Sequence, residues 1–343
     1  MTATASLSRR HFLAATGTAA AGLAAAPFTR AQEADAERSE ASGLHPTTQP
    51  GQNLQGAGFY RHRVGEVTIT LLSDGTFPMD PSLFEANAEQ GAVEQALRDQ
   101  FVDPQSVPGH VNALLLQSSE FTLLVDTGCG SAFGPATGRL DEHLARCGVG
   151  PDQIDGLVLT HLHPDHFGGL TAGDSIQLPD ARVVMSREEH DFWTGEPDLS
   201  GMSVPDEMKQ SVTAGARQTV QRVRDRLELL PADQQIADGV DLIPLPGHTP
   251  GHVGLHISSG GDELLYITDA IHQPHIQLGQ PQWHVAFDVA PDEAAVTRRR
   301  ILQQAADNRT LIAGAHLPFP GLGHVEAVGE GFRLHPVIWQ WSA

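Results

Sequence analysis

The chain predicts an α/β protein with two sheets packed face to face and helices on both outer sides, an αββα sandwich. Three observations carry this reading. Apolar runs of strand length are followed by helical patterns, this order occurs twice, and several runs end directly in loops bearing histidine or aspartate. The first pass has strands at residues 67–73, 112–117 and 121–126, a helix near 138–148, and a strand near 156–160. The second has strands at 240–245, 252–257 and 263–268, a helix near 291–306, and a strand at 310–313. Between them, Val212, Ala216, Val220, Val223, Leu227 and Leu230 recur at three- and four-residue spacing. That predicts one long inserted amphipathic helix over 206–230, facing the core. A substrate-pocket wall or a homodimer contact is the second use such a face would have.

The amino terminus is separate in character. Ser8-Arg9-Arg10-His11-Phe12-Leu13 precedes an alanine-rich stretch to Ala26, and Thr29-Arg30-Ala31 supplies small residues for cleavage. This reads as a Tat-type export signal over residues 1–31, giving a periplasmic or secreted protein. Its apolar part, about fifteen residues, falls short of the roughly twenty needed to span a bilayer, so no stable membrane anchor is expected after removal. Residues 32–57 lack an apolar period and read as a flexible leader. Residues 58–343 form the folded domain.

Composition excludes some functions. The formal charge is −21. Without residues 1–31, which hold three arginines and no acid, 18 basic residues face 42 acidic ones, or −24. A nucleic-acid partner needs a basic footprint, and this balance argues against one. Cys129 and Cys147 are the only cysteines. Export would permit a disulfide, but Cys147 lies in a helical pattern and two cysteines make no framework.

Residues 160–169 carry the chemistry. Thr-His-Leu-His-Pro-Asp-His-Phe-Gly-Gly places His161, His163, Asp165 and His166 within six positions. Imidazole nitrogen and carboxylate oxygen in this density suit zinc or a similar divalent ion. If the chain stays extended after strand 156–160, His161 and His163 point the same way. Pro164 suits the first turn of a helix, which would bring Asp165 and His166 to the same spot. Downstream, His248, Asp269 and His316 each end an apolar run, where a rigid scaffold presents loop residues to solvent. No G-x-S-x-G elbow is present.

In this order, these residues resemble the metallo-β-lactamase superfamily. The segments 72–80, 126–130, 133–135, 248–252 and 316–324 are similar to its methyl parathion hydrolase and N-acyl homoserine lactonase branch, over about residues 58–340. The resemblance implies two divalent ions, zinc by preference. His161, His163 and His248 would hold one; Asp165, His166 and His316 the other; Asp269 would bridge them, with a hydroxide between the metals. Asp165 and Asp269 would be the catalytic carboxylates. Phe133 and Trp193 match aromatic pocket positions, and His272 stands where many lactonases place a carbonyl-holding tyrosine. Lys209-Gln210-Ser211-Val212 departs from the adjacent phenylalanines of the methyl parathion hydrolases. The expectation is a lactonase or esterase acting on a small molecule, with some phosphotriester activity. A methyl parathion-type phosphotriesterase is the alternative. A non-catalytic metal-binding protein or an iron-dependent oxidoreductase of the same fold is more distant.

Overall fold

Period-two alternation decides the layering. Leu114, Leu116, Leu123 and Val125 bury against the second sheet, whereas Ala113, Leu115 and Leu124 bury against helices on the opposite face. A computed structural model describes residues 56, 58–171, 178 and 180–340. The expected export signal and, apart from Gly56, the expected leader lie outside the described residues.

In chain order the elements are β1 Phe59–Val64, β2 Val67–Met79, α1 Ala92–Asp99, β3 Val107–Gln117, β4 Thr122–Val125, α2 Leu140–Arg146, β5 Gly156–Val158, α3 Pro164–Thr171, β6 Arg182–Ser186, α4 Arg187–Thr194, α5 Asp206–Val223, β7 Leu227–Leu230, β8 Gln235–Ala237, β9 Val240–Pro244, β10 Val253–Ser259, β11 Asp262–Tyr266, α6 Pro274–Gln277, α7 Pro291–Asn308, β12 Leu311–Ala313, β13 Leu322–Val328 and β14 Gly331–Pro336. Two seven-stranded sheets result, ordered β1-β2-β3-β4-β5-β6-β7 and β14-β13-β12-β11-β10-β9-β8. In the first, β4 to β7 run parallel; in the second, only β11 and β12 pair parallel.

The inter-sheet core joins Ile69, Leu71, Val158 and Val184 to Leu242, Leu255, Ile257, Leu264 and Tyr266. Outside the first sheet, Leu140, Leu144, Val212, Ala216 and Val220 of α2 and α5 cover Leu115, Leu157 and Val183. Outside the second, Ile301, Leu302 and Ala305 of α7 cover Leu265 and Ile312. The αββα sandwich is therefore as expected, with apolar surface buried in three successive layers.

Two expectations are corrected. The inserted helix stops at Val223, and Leu227–Leu230 form β7, paired with β6 at Met185↔Leu229. Leu227 and Leu229 pack toward the helices while Leu230 packs between the sheets, the alternation of a strand. Three leucines in four residues fit either period, and the open edge of β6 decides the matter. Next, β2 runs on to Met79, beyond the expected end at Ser73, by passing a bulge between Ser73 and Gly75. Cys129 and Cys147 are both free thiols, in keeping with two cysteines that make no framework.

The bulge has a use. Asp74, at its centre, accepts N–H bonds from Cys129 (2.8 Å), Leu140 (2.9 Å) and Gly138 (3.2 Å). Burial pushes its carboxyl up to about 6 against the pull of these donors. One side chain thus ties the loop after β4 to the start of α2.

Candidate metal centre

The strand ends of both sheets converge on one histidine-rich cluster. The loop after β5 carries His161 and His163; α3, opened by Pro164 as expected, carries Asp165 and His166. His248 follows β9, Asp269 sits in a 3-10 turn just after β11, and His316 follows β12. Potential donor atoms of His161, His163 and His248 lie within 4.8 Å of one another. Those of Asp165, His166, Asp269 and His316 do likewise. All seven predicted donors are thus brought together in two adjoining groups.

Asp269 stands between the groups. Its Oδ1 is 3.0 Å from His166 Nε2. Its Oδ2 is 2.9 Å from His316 Nε2, 3.5 Å from His248 Nε2 and 3.7 Å from His161 Nε2. Asp165 Oδ2 is 3.5 Å from His316 Nε2 and 3.8 Å from His166 Nε2. His163 turns Nδ1 toward His248 Nε2, at 2.7 Å.

The outer partners of these rings test the fit to a cation. His248 Nδ1 meets Asp288 Oδ1 at 2.8 Å, His166 Nδ1 meets Asp126 Oδ2 at 2.8 Å, and His316 Nδ1 meets the His110 carbonyl at 2.6 Å. Each outer partner is an acceptor, so each Nδ1 must donate, and each Nε2 is free to present a lone pair inward. Inside, His161 Nε2, His166 Nε2 and Asp269 Oδ1 are buried without a hydrogen-bond partner. Acceptors this crowded, in so dry a place, are stable only around positive charge. The donor set fits a divalent ion.

Electrostatics point the same way. Burial lowers His161, His163 and His248 well below the ordinary histidine range, so this group is neutral imidazole, the form that ligates metal. Burial would also lower His166 and His316, but nearby carboxylates, Asp269 foremost, reverse the sign and raise both. Burial would raise Asp269; His166, His316 and His161 outweigh it and hold the carboxyl well below its usual range. The second group therefore draws in a proton where it lacks another cation, and the first group does not.

The residues expected at the substrate fare differently. His272 is buried beside the cluster, its Nε2 3.3 Å from Asp269 Oδ2 and its ring stacked on His316 at 5.4 Å. Neither of its ring nitrogens has a hydrogen-bond partner. Phe133 is partly exposed and pairs with Phe77 at 5.0 Å between ring centroids. Trp193 needs correction as a pocket wall: it is 0% exposed, its indole donates to Glu189 at 2.7 Å, and its ring meets the edge of His163 at 5.8 Å. Its place is behind the histidines because α4 packs its buried face against the H-x-H loop.

Several supporting residues escaped the sequence reading. Asp126 adopts φ 62°, rare outside glycine, and accepts from Thr160 N–H and hydroxyl as well as His166. Its signal was present, as the aspartate closing the apolar run before Thr127-Gly128. Asp288 had no such signal, since it lies 40 residues from His248 in an irregular segment. It is held beside the fully buried Arg298, whose guanidinium also donates to the carbonyls of Ala270, Pro281 and Trp283.

Two sheets, paired carboxylates and converging imidazoles at the strand ends define a metal-dependent hydrolase. Residues 106–316 match the family described as the metallo-beta-lactamase superfamily. The chain belongs to that superfamily. Among solved structures, it resembles AidC, a dizinc quorum-quenching lactonase, at 28% identity and TM-score 0.78, covering 82% of this chain and 98% of that one. It also resembles the hydrolase AbOPH at 31% identity and TM-score 0.77, covering 84% and 100% respectively. An N-acyl homoserine lactonase of Bacillus thuringiensis is 23% identical over 223 residues, 59% of this chain and 79% of the relative.

Proposed function

We propose that the protein is an exported dinuclear-metal hydrolase that opens lactones or cleaves esters, with weaker activity on phosphotriesters. The carrying observation is the position of Asp269, one carboxylate facing both donor groups. His161, His163 and His248 would hold one ion and Asp165, His166 and His316 the other, with Asp269 between; imidazole with carboxylate favours zinc. Two such ions supply an acidified shared water and a Lewis acid for the electrophile.

The chain's own groups do the rest. Asp165 is the only donor of the seven that is not fully buried, which suits it to hold the proton bound for the departing alkoxide. His272, with both nitrogens unsatisfied, would donate to the substrate carbonyl. Phe133 and Phe77 offer a flat apolar surface for an acyl chain or ring.

Substrate choice rests on the departure at residues 209–212 from the methyl parathion hydrolases that the sequence resembles. Lys209 and Gln210 occupy α5 where relatives of the phosphotriesterase type carry aromatics, and one lost aromatic contact costs about 0.5–1.5 kcal/mol beyond its area. A side-by-side kcat/KM for an acyl homoserine lactone, a simple γ-lactone and methyl parathion tests this. The lactones are expected to lead several-fold; a tenfold advantage for the phosphotriester would reverse the assignment.

The export part has its own test. Replacing Arg9-Arg10 by Lys-Lys is expected to leave active enzyme inside the cell, because the paired arginines are the receptor-read address. Delivery unchanged from wild type would remove the Tat assignment.

A further inference from the structure

Behind the three-histidine group lies a carboxylate to which the chemistry above gives no part. Glu189, on α4, is completely buried. Its Oε1 accepts from the Leu162 N–H at 2.7 Å and from the Trp193 indole N–H at 2.7 Å. Its Oε2 accepts from the Thr249 hydroxyl at 2.5 Å, and the Gly251 N–H adds a further bond. Leu162 lies between His161 and His163; Thr249 follows His248 directly. One side chain therefore holds the two loops that carry all three histidines, although they are 85 residues apart from His163 to His248.

The neighbouring residues make the same join. Ser186 caps α4 by accepting from the Glu189 N–H at 3.1 Å, and its hydroxyl donates to the Gly251 carbonyl at 2.6 Å. Gly251 is required here: any Cβ would collide with the Glu189 backbone nitrogen. Trp193, fixed by Glu189, sets its ring against His163. Such a carboxylate is expensive to bury, and its four donors all lead to the histidine loops or to Trp193, which backs one of them.

We propose that Glu189 is a positioning residue, setting His161, His163 and His248 at the spacing that binds one of the two ions. It touches neither ion nor substrate. The inference rests on the dinuclear reading above and concerns one ion selectively. The Asp165, His166, Asp269 and His316 group is oriented instead by Asp126 and the His110 carbonyl.

The test is stepwise Co2+ titration of chelator-treated full-length protein against a competing chelator. Glu189→Gln keeps the shape but turns an amide N–H2 onto groups that donate, so at least one bond is lost. One Co2+ is expected to weaken by about ten- to a hundred-fold, the usual effect of removing an outer partner of a ligand, while the other binds as in wild type. Trp193→Phe, which keeps the ring and removes one donor, and Thr249→Val, which removes one hydroxyl, are milder. Each should weaken the same single ion by several-fold, and they carry the test if Glu189→Gln does not fold. Equal weakening of both ions would mark Glu189 as a general stability element and overturn the proposal. So would wild-type affinity for both ions in all folded variants. A wild-type titration that ends at one ion would instead remove the dinuclear reading, and this proposal with it.

Discussion

Asp269→Asn is expected to lower kcat by two or more orders of magnitude, the size of loss that follows removal of a key electrostatic group. The geometry explains why so small a change matters. Oδ1 and Oδ2 each face imidazole nitrogens at 3.0 and 2.9 Å, one from His166 and one from His316. An amide keeps one oxygen donor but replaces the other with N–H2, which has no lone pair to offer a cation. It is also neutral, so it bridges two cations poorly. The same substitution removes the largest influence that raises His166 and His316 above the ordinary histidine range. Steady-state kinetics on a lactone, with metal content measured in parallel, check this. Near-normal turnover with full metal content would show that Asp269 is not the shared carboxylate.

His163→Ala acts on one group only. His163 supplies a third of the donors beside His161 and His248, and its Nδ1 lies 2.7 Å from His248 Nε2. Two histidines on separate loops hold a divalent ion far less tightly than three, and the metal and its chemistry are lost together. Activity should fall at least about a hundred-fold. Added zinc should restore little of it, since alanine supplies no donor atom in place of the imidazole.

Legibility in the sequence followed locality. His161, His163, Asp165 and His166 were readable because six consecutive positions hold four donors, and Pro164 marks where the chain turns into α3. His248, Asp269 and His316 needed the added pattern of apolar runs ending in loops. The sandwich was readable from runs such as 112–117 and 121–126, whose alternate residues enter different layers. What escaped was non-local. Asp288 and Glu189 act through partners 40 and 60 residues away, His248 and Thr249, and nothing near them in sequence announces it. Trp193 was visible as an aromatic, yet only packing shows that it backs His163 and presents no open face. Leu227–Leu230 reads equally as a helix end or an edge strand, because three leucines in four residues fit both periods until β6 is known to need a partner.

The central claim is that seven side chains from two sheets hold two divalent ions around Asp269. Metal analysis of purified wild-type protein beside His163→Ala tests it most directly. The expected result is close to two divalent ions per wild-type chain and about one in the variant. A stoichiometric single iron in the wild type, with turnover that depends on oxygen, would contradict the account.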